Sequence, residues 1–105
     1  MNLRGKKLGL LLSISPDHVN FSHGVGLAET ALASGVEVYL YCIDEAVPGI
    51  QDPRIIRLKE NGVRLFACAY GAHKRNLTMN DTALFAGLTV VADLMADTDR
   101  FISFN

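Results

Sequence analysis

The sequence is poor in the devices that most small enzymes announce. It holds two cysteines, 26 positions apart, which fit neither a CxxC redox pair nor a four-ligand zinc site. No GxxxxGK[ST] occurs, so a P-loop is absent. The stretch HGVGLA, residues 23–28, has a GxG but not the third glycine of a dinucleotide fingerprint. It also falls well inside a predicted helix rather than at its start, and reads as close helix–sheet packing. Charge of one sign is missing too: a formal net charge of −1 gives no reason to expect nucleic acid or an anionic membrane as partner. No apolar run approaches the ~20 residues of a membrane helix. The N-terminal run, residues 8–12, stops at Ser13.

What is present is a core. Half of the 105 residues are hydrophobic and 20% are charged, which argues against disorder and for one domain spanning 1–105. The N-terminal MNLRGKKLGLLLSIS mimics a secretory leader, with basic residues ahead of an apolar stretch. Ser13, Ser15, Pro16 and Asp17 cut that stretch short, and no clean small-x-small site follows. A buried first strand is the better reading, and with it a cytoplasmic chain whose cysteines stay reduced unless they do chemistry.

The pattern alternates strand and helix. Residues 7–14 are apolar after a basic start, as in a strand covered on both faces. Ser15 is the expected N-cap and Pro16 the first residue of a helix running to Ser34, with Gly35 as its stop. Residues 36–43 (VEVYLYCI) form a second strand. Residues 44–52 are expected to be a loop, and Pro53 opens a short helix (PRIIRLKEN) ended by Asn61 and Gly62. Residues 63–68 make a third strand. After a loop, Asn80 or Asp81 caps a predicted long helix over 82–95, and residues 100–104 (RFISF) make a final strand. Such alternation predicts an α/β fold, a mainly parallel sheet of four to five strands with helices on both faces.

Ligands of parallel α/β sheets bind at the carboxyl ends of the strands, where residues 13–15, 42–45 and 68–71 are all expected to lie. Cys68 therefore stands where a buried strand meets a loop. Ala69, Gly71 and Ala72 leave room around its sulfur, and Gly71 is expected to let the backbone turn. A cation from His73, Lys74 or Arg75 would favour the reactive thiolate. An inert, packed cysteine and a solvated basic loop explain the same residues, and position alone does not choose between them. Cys42 also ends a strand, but the acids that follow, Asp44 and Glu45, disfavour a thiolate there, and it reads as packing. A Cys42–Cys68 disulfide would need neighbouring strands, which the sequence leaves open.

Other constellations fit less well. An oxyanion-cradling loop places five residues between cysteine and arginine, whereas six separate Cys68 from Arg75 and Lys74 takes the arginine's place. His18 and His23 are five apart, off the i, i+4 spacing of a helical metal pair, and with His73 and Asp17 would need tertiary contacts to hold a metal. Asp93 and Asp97 read as a solvated helix face, Met79 and Met95 as core or interface filler.

Three segments, GVEVYLYCIDEAV, GVRLFACAYGAHKRNL and GLTVVADLMADTDRFISFN, together resemble the DsrE/DsrF/TusD group of small sulfur-relay proteins, including its YchN-like members. The resemblance implies a three-layer α/β/α sandwich, DsrEFH-like, assembled as a trimer or hexamer of identical or related subunits. It implies a catalytic cysteine at Cys68, with Arg75 on the family's arginine and Asn76 where a glycine usually follows. Asparagine can still adopt the left-handed turn such a glycine makes. The implied chemistry is persulfide relay, a sulfurtransferase activity between sulfur donor and acceptor proteins that uses no cofactor and no metal. His73, Lys74, Arg75, Ser15 and Gly71 would make the binding rim. A non-catalytic oligomeric subunit, with the rim binding a small ligand or partner, is the alternative. The high apolar fraction and the apolar last helix (Leu84, Phe85, Leu88, Val90, Val91, Leu94) favour assembly in either case.

Overall fold

Leucines on both faces of one short segment dictate a strand buried on both sides. A computed structural model describes residues 2–105 and places that segment, β1 (Lys7–Leu12), inside a sheet with β2 (Glu37–Cys42), β3 (Arg64–Cys68), β4 (Leu84–Ala86) and β5 (Arg100–Phe104). The five strands run in the order β4-β3-β2-β1-β5, and every neighbouring pair is parallel. All the carboxyl ends therefore share one edge, the edge that carries Cys42 and Cys68.

Helices cover both faces, giving the α/β architecture expected from the alternation. On one face α1 (Val19–Ala33) and α2 (Pro53–Glu60) press Phe21, Val25, Ala28, Ile55 and Leu58 onto Leu8, Leu10, Leu12, Val38, Leu40 and Leu65. Each of the larger side chains among these, when fully buried, contributes about 1.5–3 kcal/mol. Gly24 explains the HGVGLA stretch, because a Cβ there would stand 2.6 Å from Leu12 Cδ2. The opposite face is covered more thinly. Only Leu94 of α4 (Leu88–Asp97) is buried, with Val90 and Val91 helping it over Leu11, Tyr39, Phe66 and Phe101.

Five local expectations need correction. The long helix predicted over 82–95 is split: Leu84–Ala86 pairs with β3, Gly87 is the N-cap, and the helix proper starts at Leu88. The backbone groups on the outer edge of β3 need partners, and that demand outweighs local helix preference. Ser15 does not cap α1; its Oγ accepts from Asp17 N–H, and His18 Nδ1 caps the helix by accepting from Asn20 N–H at 3.0 Å. In the intervening turn the Arg54 guanidinium donates to the Pro16 carbonyl at 3.0 Å. Residues 44–51 form a 3-10 helix rather than a loop. The chain after Cys68 winds at once into a short helix, α3 (Ala69–Lys74). Met79 and Met95 are exposed and fill no core. Among the described residues, no helix is long and apolar enough to cross a membrane.

Candidate functional site

Cys68 is both the last residue of β3 and the N-cap of α3. The backbone N–H of Gly71 donates to its Sγ at 3.3 Å. A sulfur that accepts from a helix-opening N–H is held toward the helix, and the contact strengthens when the sulfur is anionic. Gly71 is helical rather than a positive-φ turn. Its lack of a side chain suits a close approach, since a Cβ there would lie 3.0 Å from Val47 Cγ2 of the 3-10 helix. The left-handed residues of this edge are Asn76, at φ 55°, and Asp44, at φ 52°.

Cys68 is only 7% exposed, yet it lines a cleft of about 330 Å3. Ile43, Asp44, Tyr70, Lys74, Arg75 and Leu88 share the lining with Cys68 and Gly71. Arg75 is committed on two sides: its guanidinium donates to the Gly71 carbonyl at 3.3 Å and pairs with Glu45 at 3.4 Å. Lys74 is exposed at the cleft, with no ion pair among the described residues. Of the expected rim residues, Gly71, Lys74 and Arg75 are thus brought to Cys68. His73 is exposed and does not line the cleft, and Ser15 lies at the end of β1, two strands away.

Cys42 ends the neighbouring strand but faces the other way. It pairs in register with Ala67, so its side chain joins the α1/α2 core while that of Cys68 joins the α4 face. Both are free thiols, and a bridge between them would have to pass through the sheet. Complete burial pushes the Cys42 thiol up to about 12.

Sequence reasoning missed Tyr41. Its side chain is fully buried in the cluster that holds Cys68, Val47 and Ala72, and its hydroxyl donates to the Ala86 carbonyl at 2.9 Å. Burial is the main force raising its ionisation, followed by the charge of a Cys68 thiolate nearby. The available signal was a phenol inside an apolar strand, which must find a partner when buried. Asp44 and Glu45 could be placed at the cleft only once β2 and β3 were known to be neighbours.

Comparison with known proteins agrees with this geometry at the level of fold and family. The family model described as DsrE/DsrF-like matches residues 6–104. No curated protein matches the chain. Among solved structures, the crystal structure of the ychN protein from E.coli is similar with a TM-score of 0.78 at 16% identity, covering 95% of this chain and 99% of that one. At that identity the likeness speaks for the fold.

Proposed function

The chain belongs to the DsrE/DsrF-like family of sulfur-relay proteins, and on that premise we propose that it is a sulfurtransferase carrying a persulfide on Cys68. The observation that supports this most is the setting of one sulfur, at the carboxyl edge of a parallel sheet, held by the Gly71 N–H and opening on a cleft with Lys74 and Arg75. The Cys68 thiolate attacks the outer sulfur of a donor persulfide. A new S–S bond forms to Cys68, the donor's S–S bond breaks, and the donor leaves as a thiolate that takes up a proton. An acceptor thiolate then repeats the exchange on the outer sulfur of Cys68–S–SH. No external oxidant or reductant is consumed. Lys74 offers charge to the anion, and Arg75 can do so by leaving Glu45.

The working unit is a single domain over 1–105 in a cytoplasmic trimer or hexamer of identical or related subunits, with donor and acceptor proteins as further partners. The thin cover on the α4 face and the exposed Tyr70, Leu84, Leu88 and Met95 support assembly. A monomer by light scattering at micromolar concentration would sink that part. The burial of Cys68 and the Arg75–Glu45 pair favour one alternative, a non-catalytic subunit whose cleft binds a small ligand or partner. Intact mass after treatment with a persulfide donor separates the two. A reducible gain of one sulfur atom, absent in Cys68→Ser, is expected of the carrier, and no gain on folded, reduced protein is expected of the alternative.

A further inference from the structure

Tyr41 is the largest side chain with no exposed surface. It stands on β2 opposite Phe66 of β3, and Cys68 follows two residues on, on the same face. Cys68 in turn pairs with Ala86 of β4, and Ala86 is the residue whose carbonyl takes the Tyr41 hydroxyl proton at 2.9 Å. The ring therefore crosses β3 on the face that carries Cys68, and its hydroxyl reaches the strand partner of that cysteine. A phenol oxygen has one proton and two lone pairs. The proton is used on Ala86, and the lone pairs remain for a second neighbour.

We propose that Tyr41 is the positioning residue of the Cys68 sulfur, turning from Ala86 to donate to it once the sulfur is a thiolate or persulfide anion. An anionic acceptor draws a hydrogen bond roughly twice as strong as a neutral one, so it outcompetes the carbonyl. The thiol proton goes to solvent, and no heavy-atom bond changes. Burial keeps Tyr41 a phenol, and so a donor, while the thiol titrates. The charged groups nearby act from the solvent side: Lys74 and Arg75 from the end of α3, Asp44 from the 3-10 helix, with Glu45 paired to Arg75. Tyr41 acts from the core side, where α4 and Val47 exclude water. This deepens the reading of Cys68 as the reactive sulfur and rests on it.

The test is the pH profile of Cys68 alkylation by iodoacetamide in wild type and Tyr41→Phe, which keeps the ring. The midpoint is expected to rise by about one pH unit in the variant, with the plateau rate preserved. A hydroxyl that served only to tie β4 to the sheet would leave the midpoint in place, and that result overturns the proposal. Should Tyr41→Phe fail to fold, wild type labelled with 13Cζ-tyrosine gives the same answer. Of the three tyrosines, the Tyr41 resonance must move in step with Cys68 ionisation and stay flat in Cys68→Ser. A flat Tyr41 resonance while Cys68 titrates contradicts the proposal. Neither readout involves sulfur transfer, so failed persulfide loading counts against the carrier reading and not against this contact.

Discussion

Cys42 and Cys68 end adjacent parallel strands, yet register sets them chemically apart. Cys42 lies opposite Ala67, one residue before Cys68, and in a strand one residue is one face. Cys42 falls into the α1/α2 core, where burial alone pushes its thiol up to about 12. Cys68 falls on the thinly covered face, receives the Gly71 N–H, and borders a cleft with two basic side chains. The difference teaches that a strand-end position is not enough to make a cysteine reactive. What lies on its face of the sheet, and how the chain leaves the strand, decide its environment.

The sharpest way to break this contrast is to exchange the roles. Cys68→Ser should abolish sulfur loading, whereas Cys42→Ala should load like wild type, both read by intact mass. Next comes reactivity in the native protein. At pH 8 a thiol at about 12 is ionised in roughly one molecule in ten thousand. Cys42 should therefore be alkylated only as fast as the protein opens, and peptide mapping after a short exposure should find the label on Cys68. Stability should show the reverse ranking. Cys42→Ser buries an unpartnered hydroxyl and should cost about 1–3 kcal/mol by urea unfolding, while Cys68→Ser, beside the cleft and the Gly71 N–H, should cost less.

The pH dependence follows from the raised Cys42 value. Above about pH 9 the unfolded chain loses this proton and the folded chain retains it, so the stabilisation present below that pH declines as pH rises toward 12. The slope from one such thiol approaches 1.4 kcal/mol per pH unit, and Cys42→Ala should flatten the alkaline limb accordingly. Tyr41 adds a decline of the same sign at higher pH. The smallest effect on stability should come from Arg75→Ala. Its partner Glu45 is largely open to water, so the pair should contribute under about 1 kcal/mol, while sulfur loading, followed over time, should slow.

Much of the scaffold could be read from local signals, and the exceptions have physical causes. The strands through Leu10, Leu40, Leu65 and Ile102 stand out as apolar or β-branched runs, and Pro53 opens α2 where its fixed φ suits a helix start. The rim position of Cys68 was legible because strand polarity alone fixes it. Residues 84–86 were not legible as a strand, since Leu84 and Phe85 acquire that conformation from the open edge of β3. The cleft was legible only in part. Lys74 and Arg75 follow Cys68 in sequence, but Asp44 joins the cleft, Glu45 meets Arg75 and Tyr41 packs behind Cys68 through the β2–β3 pairing, which no local pattern encodes. Ser15 shares the edge with Cys68, yet the strand order puts it two strands away.

The most direct measurement locates the sulfur. Wild-type protein is treated with a persulfide donor, freed of it, tagged with an alkylating reagent that caps thiols and persulfides alike, and mapped by peptide mass spectrometry. The account predicts the extra sulfur on the peptide containing Cys68, with Cys42 carrying none until the protein is unfolded. Extra sulfur on Cys42 in the native protein, or on both cysteines alike, would contradict it.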